Sequence, residues 1–100
     1  MIVDDEKLIC KLVQALVEWD KLGMQMAAQA ENAIQALDML QQYRPDILIT
    51  DIRMPIMDGL ELMRRCSVQH RDVPFIILSG YDDFKYAQKA IEYGAKAYLL

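Results

Sequence analysis

Five short apolar runs, separated by longer segments whose apolar residues recur every three or four positions, cut this chain of 100 residues into alternating strands and helices. The runs are Met1-Ile2-Val3, Met24 to Ala28, Asp46 to Asp51, Phe75 to Leu78 and Ala97 to Leu100. Between the first two, Leu8, Leu12, Ala15, Leu16 and Trp19, with Ile9 and Val13 beside them, predict a helix over about 6–19. Asp5 is its expected N-cap, and the acids of its first turn suit the positive end of the helix dipole. Ala33, Ile34, Leu37 and Leu40 mark a second helix over about 31–42, which Pro45 stops. A short third helix enters from Asp58-Gly59 and carries Leu60, Leu62 and Met63. A polar stretch from Ser67 to Asp72 then leads to Pro74 and the fourth strand. The last helix carries Phe84, Ala87, Ala90 and Ile91, with Asp82 or Asp83 to cap it and Gly94 to end it.

Strands joined by helical crossovers of this length lie parallel, and a parallel sheet must be covered on both faces. The expected fold is therefore a doubly wound, five-stranded α/β sheet; strand order is not written in the pattern, and the flavodoxin-like order 2-1-3-4-5 is the common solution for five such units. That order makes the first and third strands neighbours. Asp4 and Asp5 at the end of the first then converge with Asp51 at the end of the third, on the sheet edge where open α/β folds bind ligands. Three anions so close need protons or a cation. Ligands that are all oxygen suit Mg²⁺, and no His or Cys lies near to favour a softer metal. Ser79, ending the fourth strand before Gly80, can offer a hydroxyl to the same edge. A metal, a carboxylate and a hydroxyl together fit phosphoryl chemistry. The competing account makes the three aspartates helix caps and loop acids that meet by accident.

Composition narrows the field further. With 54% hydrophobic and 26% charged residues, the chain supports one domain over 1–100 with a real core. A net charge of −4 excludes this segment as a nucleic-acid surface. Cys10 and Cys66 lie far apart without metal-ligand spacing, and the only histidine is His70, so reduced structural thiols in a cytoplasmic protein are expected. No apolar run approaches the ~18 residues that span a bilayer, and no signal peptide is present, so no membrane partner is expected.

Four strings carry a family resemblance: Ile2-Val3-Asp4-Asp5-Glu6; Thr50-Asp51-Ile52-Arg53-Met54-Pro55 followed by Met57-Asp58-Gly59; Leu78-Ser79-Gly80; and Gly94 to Leu100. In this order and spacing the chain resembles the receiver domain of two-component response regulators. The resemblance implies that Asp51 accepts a phosphoryl group from a phosphohistidine on a sensor histidine kinase. It implies that Asp4, Asp5 and Asp51 hold Mg²⁺ with the main-chain carbonyl of Arg53. It further implies that Ser79 bonds the phosphoryl group and that the rotamer of Tyr98 follows. The fourth helix and fifth strand would form the switch surface and a homodimer contact. No turnover of an external substrate is expected, so the domain is not read as an enzyme. The segment Ser79 to Ala87 is similar to receivers attached to AraC-type transcription regulators, which would reach DNA through an output domain outside this chain.

One departure stands out. The family's lysine-proline signature follows the fifth strand, and the sequence stops at Leu100; Lys96 precedes the aromatic position and does not replace it. The chain is accordingly read as incomplete at both ends, with the closing helix and output domain elsewhere. Two other readings stay open. One is a phosphate-independent interaction module. The other is a Mg²⁺-dependent phosphatase or phosphotransferase, weakened because Arg53 stands where such enzymes place a second acid.

Overall fold

Alternating apolar runs and amphipathic segments become five strands and four helices in the computed structural model, which describes residues 1–54, 56–69, 73–78 and 84–99, the side chains of 69, 84, 86, 87 and 98 excepted. In chain order they are β1 (Ile2–Val3), α1 (Lys7–Leu16), β2 (Gln29–Ala30), α2 (Ala33–Tyr43), β3 (Leu48–Thr50), α3 (Gly59–Gln69), β4 (Phe75–Leu78), α4 (Phe84–Glu92) and β5 (Ala97–Leu99). All strand pairs are parallel and the sheet order is β2-β1-β3-β4-β5, the flavodoxin-like order expected as the common solution for such a chain.

Register follows from the two-residue period of strand side chains. Val3 pairs with Thr50 and Thr50 with Ile77, and these three side chains are fully buried on one face. That face carries the core, where Leu48, Phe75 and Ile77 join Ala33, Ala36 and Leu40 of α2, Leu62, Met63 and Cys66 of α3 and Ala90 of α4. The alternate residues Ile49 and Ile76 point the other way. There they share with Val13, Leu16, Trp19 and Leu99 an apolar groove of about 920 Å³ beside α1. Cys10 and Cys66 are both free and buried. No helix among the described residues is long and apolar enough to cross a membrane.

Local chemistry moves several boundaries. Helix α1 ends at Leu16 rather than at 19, because Val17 turns extended and the Trp19 indole folds back to donate to the Gln14 carbonyl at 3.1 Å. Its N-cap is Glu6, not Asp5. The neighbouring Asp4 carboxylate accepts the Glu6 amide at 2.9 Å and so meets that donor itself. Leu8, Leu12 and Leu16 are exposed, whereas Cys10 is buried and Ile9 and Val13 are half-buried. The second strand forms at Gln29–Ala30, not over 24–28, since the Met24 amide is held to the Trp19 carbonyl at 2.9 Å in the preceding turn. The third strand is likewise shorter than 46–51.

Helix α2 has the reciprocal start typical of a capped helix. Asn32 accepts from the Gln35 amide at 2.8 Å, while the Gln35 side chain accepts from the Glu31 amide at 2.7 Å. Helix α3 proves to be 11 residues long rather than short, and extends into the stretch read as polar connection. On its exposed side Arg64 and Arg65 both engage Glu61, at 2.6 and 3.1 Å, as a solvated ion network. The capping role of Asp82 or Asp83 lies outside the described residues.

Between β3 and α3 the backbone carries strain. Ile56 takes φ 72°, a left-handed conformation that β-branched residues rarely adopt, and its side chain is 87% exposed. Buried Met54 and Met57 pin the loop on either side. Ile56→Asn is therefore expected to stabilise the fold by about 1 kcal/mol. In thermal unfolding that is a rise in Tm of about 4–8 °C; an unchanged Tm would show that the loop imposes no such strain.

Candidate functional site

The carboxyl ends of β1 and β3 are adjacent, and each is followed at once by aspartate. Asp4 donates its amide to the Ala30 carbonyl at 3.0 Å, and Asp51 donates its own to the Val3 carbonyl at 3.1 Å, so ladder bonds run up to both acids. Asp5 follows on the exposed side. Asp4, Asp5 and Asp51 each bring a carboxylate oxygen within 4.8 Å of the other two. At such a separation a pair of unit charges repels by roughly 3 kcal/mol at an effective dielectric near 20.

Burial compounds the repulsion at Asp4, which is 4% exposed. Its carboxyl is pushed up to about 6, first by burial and then by the charges of Asp51 and Asp5, against the stabilising amide of Glu6. Asp51 is also raised by burial, while the backbone amides of Ile52 and Arg53 oppose the shift. The Ile52 amide is 2.7 Å from Asp51 Oδ1. One Asp51 oxygen is thus held by main chain beside a half-exposed cluster of negative charge. The Cys10 thiol, near the Asp4 carbonyl at 3.9 Å, is pushed up by burial and by the Asp4 charge, which keeps it protonated and inert.

These donors are all hard oxygens, on rigid strand ends, with excess negative charge. They suit a small divalent cation better than they suit one another. The structure therefore brings together the predicted Asp4, Asp5 and Asp51. It leaves the Arg53 side chain exposed and puts the Arg53 amide within the Asp51 environment. Ser79 lies outside the described residues. Tyr98 is placed by its backbone in β5, paired with Ile77, and its side chain lies outside the described set.

Two residues to which sequence reading gave no role touch Asp51 directly. Thr50, fully buried, donates its hydroxyl to the Asp51 carbonyl at 2.9 Å. Gly59 donates its amide to the Ile52 carbonyl at 2.7 Å and presses its Cα toward the Asp51 carbonyl. A lone hydroxyl in an otherwise apolar strand was the available signal for the first. For the second it was a glycine directly after a helix-capping aspartate: Asp58 Oδ1 accepts the Glu61 amide at 2.8 Å.

Known proteins agree with this geometry. Residues 1–100 match the response regulator receiver domain family. The transcriptional regulatory protein YesN of Bacillus subtilis is 41% identical over the whole chain, which spans 27% of that relative's own length. The solved receiver domain of AraT, a response regulator from Geobacillus stearothermophilus, superimposes with a TM-score of 0.90 at 38% identity, covering 99% of this chain and 77% of that one. A two-component transcriptional regulator AraC from Clostridium phytofermentans gives a TM-score of 0.86, also at 38% identity, over 97% of this chain and 75% of that one. With a matching family over its full extent, the same sheet and the acidic cluster at the expected edge, the chain belongs to the response regulator receiver domains of two-component systems.

Proposed function

We propose that Asp51 is a phosphoacceptor, loaded by a sensor histidine kinase, and that its modification switches an output. The observation that carries this reading is the convergence of Asp4, Asp5 and Asp51 at one sheet edge, with one Asp51 oxygen tied to the Ile52 amide. A carboxylate needs no deprotonation to act as a nucleophile at neutral pH, so alignment and charge neutralisation are what the protein must supply. A carboxylate oxygen of Asp51 attacks phosphorus; the P–N bond of the phosphohistidine breaks, its electron pair stays on the imidazole nitrogen, and that nitrogen takes up a proton. Asp4, Asp5 and Asp51, with the main-chain carbonyl of Arg53, are the proposed Mg²⁺ ligands, and the ion would neutralise charge on the transferring group.

Ser79 is assigned the hydrogen bond to the new phosphoryl group, and Tyr98 the rotamer that responds, with α4 and β5 as the surface read by a partner or a second copy. The relatives' names support a role in transcription regulation; a DNA-binding output domain, a cytoplasmic location and the lack of turnover of an external substrate are parts of the proposal itself. Incubation of the intact protein with acetyl phosphate and Mg²⁺ is expected to add about 80 Da, the mass of one phosphoryl group. Mass spectrometry should find that adduct in the wild type and not in Asp51→Asn. No adduct on the wild type would leave the phosphate-independent module as the better reading.

The raised Asp4 carboxyl makes a second expectation. Folding lifts it from the ordinary 3.8 to about 6, so the native state binds this proton more tightly than the unfolded chain does. Its contribution favours folding most below 3.8, falls as pH rises through the interval up to about 6, and is least favourable at neutral pH. Without divalent cations, Asp4→Asn should stabilise the protein at pH ~7.5 by on the order of 2 kcal/mol and flatten its pH dependence. Mg²⁺ should raise the Tm of the wild type at that pH more than that of the variant. Thermal unfolding at two pH values, with and without Mg²⁺, checks both; equal Mg²⁺ shifts would remove Asp4 from the ligand set.

A further inference from the structure

Resting on the assignment of Asp51 as phosphoacceptor, the geometry points to Thr50 and Gly59 as positioning residues that aim its carboxylate by clamping one peptide plane. The Asp51 carbonyl and the Ile52 amide belong to the same peptide unit, which is planar and rigid. The amide side of that plane holds Asp51 Oδ1 at 2.7 Å. The carbonyl side accepts the Thr50 hydroxyl at 2.9 Å and meets Gly59. Whatever fixes the carbonyl therefore fixes the direction of the amide, and with it the carboxylate.

Each half of the clamp shows its purpose in the residue chosen. Thr50 lies on the core face of the central strand, wholly buried between Val3 and Ile77, where an aliphatic side chain would pack without a polar group to satisfy. Its hydroxyl is satisfied by the Asp51 carbonyl. At Gly59 a Cβ would overlap the Asp51 carbonyl oxygen and come within 3.1 Å of both Asp51 C and Ile52 Cα, all backbone atoms. Any side chain there would push the plane. Gly59 also bonds the far side of Ile52, donating to its carbonyl at 2.7 Å, so the start of α3 braces the same segment. Asp58 caps that helix through the Glu61 amide, which keeps the brace in place.

A packing role and a positioning role for Thr50 predict opposite results in two variants of the intact protein. Thr50→Val keeps volume and loses the hydroxyl; Thr50→Ser keeps the hydroxyl and loses a methyl group. If Thr50 positions Asp51, Thr50→Val slows phosphorylation by acetyl phosphate between about tenfold and a hundredfold, the cost of a misaligned reacting group. Thr50→Ser then retains a near-native rate although it is the less stable of the two. The Ile52 amide proton, shifted downfield by its short bond to Oδ1, should move upfield in Thr50→Val and in Gly59→Ala, and stay in Thr50→Ser. A Thr50→Val protein with the native rate and an unmoved Ile52 resonance overturns the clamp, and so does a Thr50→Ser protein that slows as much as Thr50→Val. Failure of the wild type to form any adduct instead defeats the phosphoacceptor reading, and the Ile52 resonance still decides the clamp.

Discussion

Repulsion among Asp4, Asp5 and Asp51 is the constraint around which the rest of this domain is arranged. Carboxylates within 4.8 Å of each other would separate if they stood on loops free to move. Here two of them directly follow neighbouring parallel strands, whose ladder bonds continue to the amides of Asp4 and Asp51. The sheet holds them against their mutual field, and its stability comes from the opposite chemistry, the dry face of Val3, Leu48, Thr50, Phe75 and Ile77 under α2, α3 and α4. Asp4 registers the tension in its carboxyl, displaced to about 6. A site prepared in this way gains most from a group that brings positive charge.

How much of this could be read from residues alone depends on how local the determining physics is. The strand Phe75–Leu78 was legible to the residue because Pro74 bounds a continuous β-favouring run that is paired on both sides. The edge strand was not: Met24 to Ala28 has the right composition, but a turn bond from Trp19 diverts it, and only Gln29–Ala30 reach the ladder. Helix α1 is legible from its periodicity, but which of its residues is buried is not: Leu8, Leu12 and Leu16 are exposed and Cys10 is buried. For the site, the assumed flavodoxin-like order brings the three aspartates together, because it makes β1 and β3 neighbours whose following residues reach one edge. Thr50 and Gly59 stand in the motif strings without a role of their own, because their roles are contacts with backbone, which leave no pattern in a sequence beyond an unexpected residue type.

The loop from Met54 to Asp58 shows the same division between what the fold needs and what the site needs. Met54 and Met57 are buried and serve packing. Ile56, projecting between them at φ 72°, serves neither packing nor backbone ease. The turn must nevertheless deliver Gly59 against Asp51 within a few residues of the end of β3, and the short path leaves little freedom in φ and ψ. The strain at Ile56 is thus the local counterpart of the close approach at Gly59.

This arrangement also limits how a new charge on Asp51 can be felt elsewhere. Val3, Thr50, Ile77 and Tyr98 occupy one row of register positions across four parallel strands. Slipping any of these strands by a residue would exchange its buried and outward faces, at the cost of the core on the α2–α4 side. The buried members of that row, Val3, Thr50 and Ile77, therefore move as a unit or not at all. If Asp51 is modified as proposed, the new charge is not relayed by strand slippage and acts first where the backbone leaves β3. That is the segment in which the sequence places Arg53 to Gly59. The rigidity that holds three carboxylates together thereby directs any response toward the segment that leaves β3 at their own edge.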